Sequence, residues 1–188
     1  MSQQDRAVTP VISTILVVAI VVILAATVSV AFLGITENLT EPAPIVADTT
    51  GEFDAGNTQI VRITHVAGDN IEVENMEIIV RVFGPEQKLL NEVRLINLPA
   101  DTPAGICPTG RIGLNNLQGD YQLVERGCAQ NQVITYTDSN TWSPGKTIQF
   151  QIRSQRANFS AGGGADELEV VIVHTPSNAI ISEHVFRP

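Results

Sequence analysis

Three histidines, a run of glutamates, two cysteines and a glycine triplet are the residues whose types could do chemistry in this chain. His65, His174 and His184 could ligate a metal, but none shows the i, i+4 or paired-cysteine spacing of a built site. All three fall in strand-like stretches, where a histidine more often packs or hydrogen-bonds at a sheet edge. Glu72, Glu74 and Glu77 could supply general acid–base catalysis, yet no nucleophile-and-base set accompanies them. A solvated strand face is the plainer reading. Gly162-Gly163-Gly164 lacks the Lys-Ser/Thr that completes a phosphate loop, and Asp166-Glu167 just beyond would repel phosphate. Trp142, beside the turn signal Ser143-Pro144-Gly145, reads as a core residue, with a binding aromatic as the alternative. The sequence thus predicts no catalytic residue, no metal, no cofactor and no enzyme.

Cys107 and Cys128 lie in segments rich in Gly, Pro, Asn and Gln, with no further Cys or His near enough to complete a zinc tetrahedron. Downstream of an export segment they suit a disulfide, worth about 3 kcal/mol in the chain-entropy model. Two buried free thiols are the alternative. Asn38-Leu39-Thr40 and Asn158-Phe159-Ser160 are acceptor tripeptides for N-glycosylation, consistent with an exported face. The net charge is −9, and every acid but Asp5 and every base but Arg6 lies beyond residue 36. An acidic domain argues against nucleic acid, whose binding depends on cations neutralising phosphates. Only Lys88 and Lys146 are lysines. An acidic, lysine-poor domain suits high salt, although a GC-rich genome leaves the same arginine bias.

The element that must position everything else comes first in the chain. Residues 7–36 carry no charge. Roughly twenty apolar residues cross a ~30 Å hydrocarbon core, so this run spans a bilayer with about two turns to spare. A cleaved secretory signal has a shorter apolar core, about 7 to 15 residues, after net positive charge. Here Asp5 offsets Arg6, although Ser29-Val30-Ala31 offers a small-x-small cut. A plain transmembrane anchor fits the length, with Arg6 and the amino terminus on the cytoplasmic side. The segment is rich in Val, Ile and Thr, which lowers helix propensity in water, but in lipid the backbone must satisfy itself and is forced helical. Small residues at Ser13, Ala19, Ala25, Ala26 and Ser29 would let neighbouring helices approach closely. Together with Val11, Ile15 and Leu24 they mark the expected packing surface.

The stretch Asp5-Arg6-Ala7-Val8-Thr9-Pro10-Val11-Ile12, continuing through Ile15-Leu16-Val17-Val18-Ala19-Ile20 and Ile23-Leu24-Ala25-Ala26, resembles the amino terminus of archaeal type IV pilins, above all those of halophilic archaea. The resemblance implies a short polar leader removed by a membrane prepilin peptidase, here between Arg6 and Ala7. Pro10 then becomes the fourth residue, inside the first helical turn, where its missing N–H costs nothing. Bacterial type IV pilins usually carry Glu at the fifth processed position; Val11 stands there, so assembly cannot depend on that charge. In the head, Ile63-Thr64-His65-Val66-Ala67-Gly68-Asp69-Asn70-Ile71 resembles a hairpin with a His-x-Gly-Gly-Asp stretch in haloarchaeal pilins, with Ala67 replacing the first Gly. Trp142-Ser143-Pro144-Gly145-Lys146-Thr147 is similar to a second turn of that family.

Glu41-Pro42-Ala43-Pro44 cannot continue a helix and reads as a stiff linker. Beyond it, short strand-like runs recur at residues 59–66, 71–83, 89–95, 121–124, 132–136, 147–152, 168–174 and 180–186. Turn signals separate them, among them Gly68-Asp69-Asn70, Gly84-Pro85 and the glycine triplet. The expected fold class is α+β: a long N-terminal hydrophobic helix, then an all-β, immunoglobulin-like antiparallel sandwich. The expected organisation is a leader at 1–6, a helix at 7–36, a linker at 37–46 and a head at 47–188. The expected function is a structural pilin of a type IV-like surface filament, homopolymerised through its helices and serving adhesion. Its partners would be membrane lipid before assembly, the peptidase and the assembly machinery. Its location would be the cell membrane, then an extracellular filament. The alternative is a single-pass anchor displaying an immunoglobulin-like binding domain.

Overall fold

The charge-free segment forms one helix, α1, Asp5–Thr36. At 1.5 Å per residue it is roughly 48 Å long. It begins two residues earlier than the sequence suggested. A computed structural model describes residues 5–36, 42–100, 112–126 and 140–188, and the chain divides into two compact units, Met1–Glu41 and Pro42–Pro188. Within the first unit every described side chain, from Ile12 to Ser29, is exposed. A surface helix of a soluble domain keeps a polar stripe; this one is apolar on all sides, the pattern of a membrane span or a bundle interior. Ile12–Ser29 is long and apolar enough to cross a membrane.

The second unit is built from antiparallel strands whose side chains alternate between a core and a solvated face. They are β1 (Val46–Asp54), β2 (Ile60–Gly68), β3 (Ile71–Glu72), β4 (Met76–Phe83) and β5 (Leu89–Leu95), followed by β6 (Leu117–Gly119), β7 (Thr141–Trp142), β8 (Thr147–Gln151), β9 (Glu167–His174) and β10 (Ala179–Phe186). One sheet has the order β1-β2-β8, a second β10-β9-β4-β5-β6, and β3 and β7 form a small third ladder. One core joins the two large sheets. Val61 and Ile63 of β2 and Ile148 and Phe150 of β8 share it with Ile78, Val80 and Val82 of β4 and Leu168, Val170 and Ile172 of β9. Burying each such side chain stabilises the head by about 1.5–3 kcal/mol. This arrangement of two antiparallel sheets around one core is compatible with the expected sandwich.

The outer face of the five-stranded sheet carries charge instead. Arg81 on β4 lies opposite Glu92 on β5 and Glu169 on β9, with contacts of 2.8 and 3.0 Å. Arg94 reaches Glu77 at 3.2 Å. Glu77 thus belongs to a cross-strand ion-pair ladder, while Glu72 ends β3 and Glu74 lies in a 3₁₀ turn, so the three glutamates serve different elements.

Several strand boundaries differ from the sequence reading. The expected strand 71–83 is broken at Val73–Asn75 because the chain changes partners there: Ile71 and Glu72 pair with Trp142 and Thr141, whereas Met76 onward joins β9 and β5. Residues 121–124, expected as a strand, form a turn in which the Asp120 carbonyl accepts from Leu123 N and its carboxylate from Gln122 N. Only Val124 bridges to Ile152. β1, β6 and β7 were not expected. The expected strand 132–136 lies outside the described residues.

Candidate assembly helix and head brace

The helix presents its expected packing residues in two directions. With 3.6 residues per turn, Ile15, Ala19, Ala26 and Ser29 fall on one face, Ala25 flanks it, and Leu24 points about 180° away from Ile15. Ile15 is 64% and Leu24 58% exposed. Arg6, Ala7 and Val11 are members of α1. Ile12, Ile15, Leu16, Ala19, Ile20 and Ile23 line a shallow apolar hollow with the small Ala19 among larger neighbours. Side-chain hydroxyls do not spoil the apolar surface. Thr27 Oγ1 donates to the Leu24 carbonyl at 2.9 Å and Ser29 Oγ to that of Ala25 at 2.8 Å. Such back-bonding satisfies the donor within the helix itself. The surface can therefore enter lipid, or a partner helix of the same kind, with no unpaired polar group at these two positions.

In the head, the structure brings together the two stretches that looked like family turns. His65 is fully buried, its ring centroid 4.9 Å from that of Trp142, and its Nδ1 lies 3.3 Å from the Trp142 carbonyl oxygen. Trp142 Nε1 donates to the Lys146 carbonyl at 3.1 Å, His65 N donates to the same carbonyl at 3.0 Å, and Gly145 N to His65 O at 2.7 Å. The histidine is thus a structural wedge between β2 and the β7–β8 turn. His174 Nδ1 sits 2.7 Å from Ser177 Oγ, and His184 Nε2 3.0 Å from Thr49 Oγ1. Each histidine has a separate structural partner.

The remainder of the His65 stretch grips the chain where it comes into the head. Asp69 N donates to Ile45 O at 2.9 Å, and Ile45 N donates back to Asp69 Oδ2 at 2.9 Å. Gly68 beside it has φ +132°, and a Cβ there would stand 2.5 Å from the Ile45 oxygen. Glycine is needed on both counts. The sequence had flagged the stretch but not this grip.

Gln59 was missed altogether. It is buried, donates through Nε2 to the Ala157 carbonyl at 2.7 Å, and accepts through Oε1 from Phe159 N at 2.9 Å. A glutamine at the start of a strand reads as a solvated residue; no sequence signal separates it from a buried one. Asn158, one of the two acceptor asparagines, sits in the loop that Gln59 holds. Asn38, Cys107 and Cys128 lie outside the described residues.

Among the described residues, Ile12–Ser29 of α1 is apolar and bare, whereas the second unit holds a core of its own. Residues 6–47 match the family described as archaeal type IV pilin, N-terminal. The match takes in nearly all of α1 and the point where Asp69 grips the chain. No curated protein matches this chain.

Proposed function

We propose that the chain is a structural subunit of an archaeal type IV-like surface filament, held in the cell membrane by α1 until assembly and carrying adhesion on its heads. The observation that carries this reading is the bare apolar circumference of a helix lying in the pilin-like segment. Exposed to water, such a surface is costly; buried among copies of itself it is stable without directional chemistry. Subunit contacts of this kind repeat along a screw axis. Val11, Ile15, Ala19, Leu24, Ala25, Ala26 and Ser29 are the packing residues.

The proposed cut between Arg6 and Ala7 has a backbone rationale. In α1 the Arg6 carbonyl would receive the N–H of the fourth residue on, which is Pro10 and has none. Removing residues 1–6 removes that orphaned acceptor and leaves Pro10 in the first turn. Cys107 and Cys128 are proposed to be bonded, which intact mass before and after reduction will read. Mass spectrometry of the exported chain tests the main reading: a start at Ala7 supports it, and retention of Met1 or Ser2 supports the anchored binding domain instead. Sheared surface fibres that lack this polypeptide would remove the filament reading.

A further inference from the structure

The glycine triplet, rejected as a phosphate loop, has a use in the fold. Gly162 and Gly164 both have φ +84°, and Gly163 lies so close to the Asn158 backbone and side chain that a Cβ there would overlap them. Asn158 and Gly164 form a parallel bridge, and Ala165 N donates to Asn158 O at 3.2 Å. From the other side, Gln59 holds Ala157 and Phe159. The two residues flanking Asn158 are buried, while Asn158 is partly exposed and Ser160 exposed. The acceptor tripeptide Asn158-Phe159-Ser160 is thus clamped on both sides with its polar groups outward.

Within it, Ser160 N donates to Asn158 Oδ1 at 3.0 Å and Ser160 Oγ donates to the same oxygen at 2.6 Å. The backbone donor fixes which end of the amide is oxygen. Nδ2 makes no hydrogen bond among the described residues and is not a buried unpartnered atom. We infer that Asn158 is an N-linked glycan acceptor presented in reactive form by the folded head. Two donors on Oδ1 draw electron density from the amide, which makes an Nδ2 proton easier to remove as that nitrogen attacks, and Nδ2 is the open side of the group. In the step, Nδ2 bonds to the anomeric carbon of a saccharide carried on a polyprenyl phosphate. The bond from that carbon to the phosphate oxygen breaks, the lipid phosphate leaves with the electron pair, and the amide proton passes to a base of the transferase.

The inference rests on export of the head, so protease shaving of intact cells is done first: a protected chain would remove export itself, whatever Asn158 carries. On surface-exposed full-length chain, trypsin cuts after Arg156 and leaves the Arg187–Pro188 bond intact, so Asn158 is read in one peptide that begins at Ala157 and runs through Pro188. This peptide is expected to carry saccharide mass in most molecules. Asn158→Gln and Ser160→Ala should return it to its bare mass, and Ser160→Thr should keep the addition. A bare wild-type peptide overturns the proposal, and so does an addition that survives Asn158→Gln. The folded, unmodified full chain, incubated with membranes holding transferase and lipid-linked saccharide, should accept sugar at least as fast as the urea-unfolded chain. Acceptance by the unfolded chain alone would overturn presentation by the fold.

Discussion

The helix and the head solve the same burial problem in opposite ways. The head folds its apolar side chains against one another: Trp142, Phe150, Ile63 and Leu168 are all fully buried within one chain. The helix has no such partner and leaves Ile15, Leu16, Val22 and Leu24 each more than half exposed. One unit holds its own core; the other has no cover among the described residues, and under the proposed function lipid or copies supply it. Mutations should therefore divide cleanly, those in α1 acting on association and those in the head on stability.

The strongest test of that division is Ala25→Phe or Ala26→Phe. Either should abolish filaments in electron micrographs while membrane fractionation still finds the chain inserted, because a bulky ring blocks close helix approach without lowering hydrophobicity. Filaments of normal yield would break the comparison. In the head, Trp142→Ala should cost about 3–5 kcal/mol in urea unfolding of residues 42–188, since it empties the site against His65 and removes the bond to Lys146. Membrane insertion should not change.

Smaller effects sharpen the picture within the head. Gln59→Leu keeps bulk but strands the Phe159 N–H and the Ala157 carbonyl, a loss of about 1–3 kcal/mol by the same measurement. Gly68→Ala forces a side chain into left-handed backbone against Ile45 and should cost about 1–3 kcal/mol, with faster proteolysis near residue 45 as its local sign. The least effect concerns pH. Burial pushes His184 below its ordinary value of 6.5, with Asp48 opposing. The unfolded chain then takes up the proton more readily than the fold, so stability is full above about pH 6.5 and falls as pH drops through the lower folded value. His184→Gln should flatten that slope in pH-dependent thermal melts; an unchanged slope would put its origin elsewhere.

What could be read from the sequence followed how each region earns its stability. α1 needed only composition, because lipid or a bundle demands an uninterrupted apolar run. β2, β4, β5, β8, β9 and β10 were legible from apolar alternation that the shared core enforces. β1 was not. It is an edge strand with a bulged register against β2, and its sequence Val46-Ala47-Asp48-Thr49-Thr50-Gly51-Glu52-Phe53-Asp54 has too few apolar residues to signal. β7 is two residues long and borrowed its pairing from β3 across distant sequence. The site residues divided similarly: Asp69 and Trp142 stood in recognisable stretches, but the Ile45 grip and the buried Gln59 depend on contacts between residues far apart in the chain.

The sparse signal of β1 has a consequence for heads crowded side by side. As the rim of its sheet it offers a row of backbone groups that another chain could zip onto, and Asp48, Glu52 and Asp54 on that rim are all exposed. Like charge on like rims discourages one head from continuing the sheet of the next. In the filament proposed above, that charge would keep growth to the rods and keep the outer coat from zipping into amyloid.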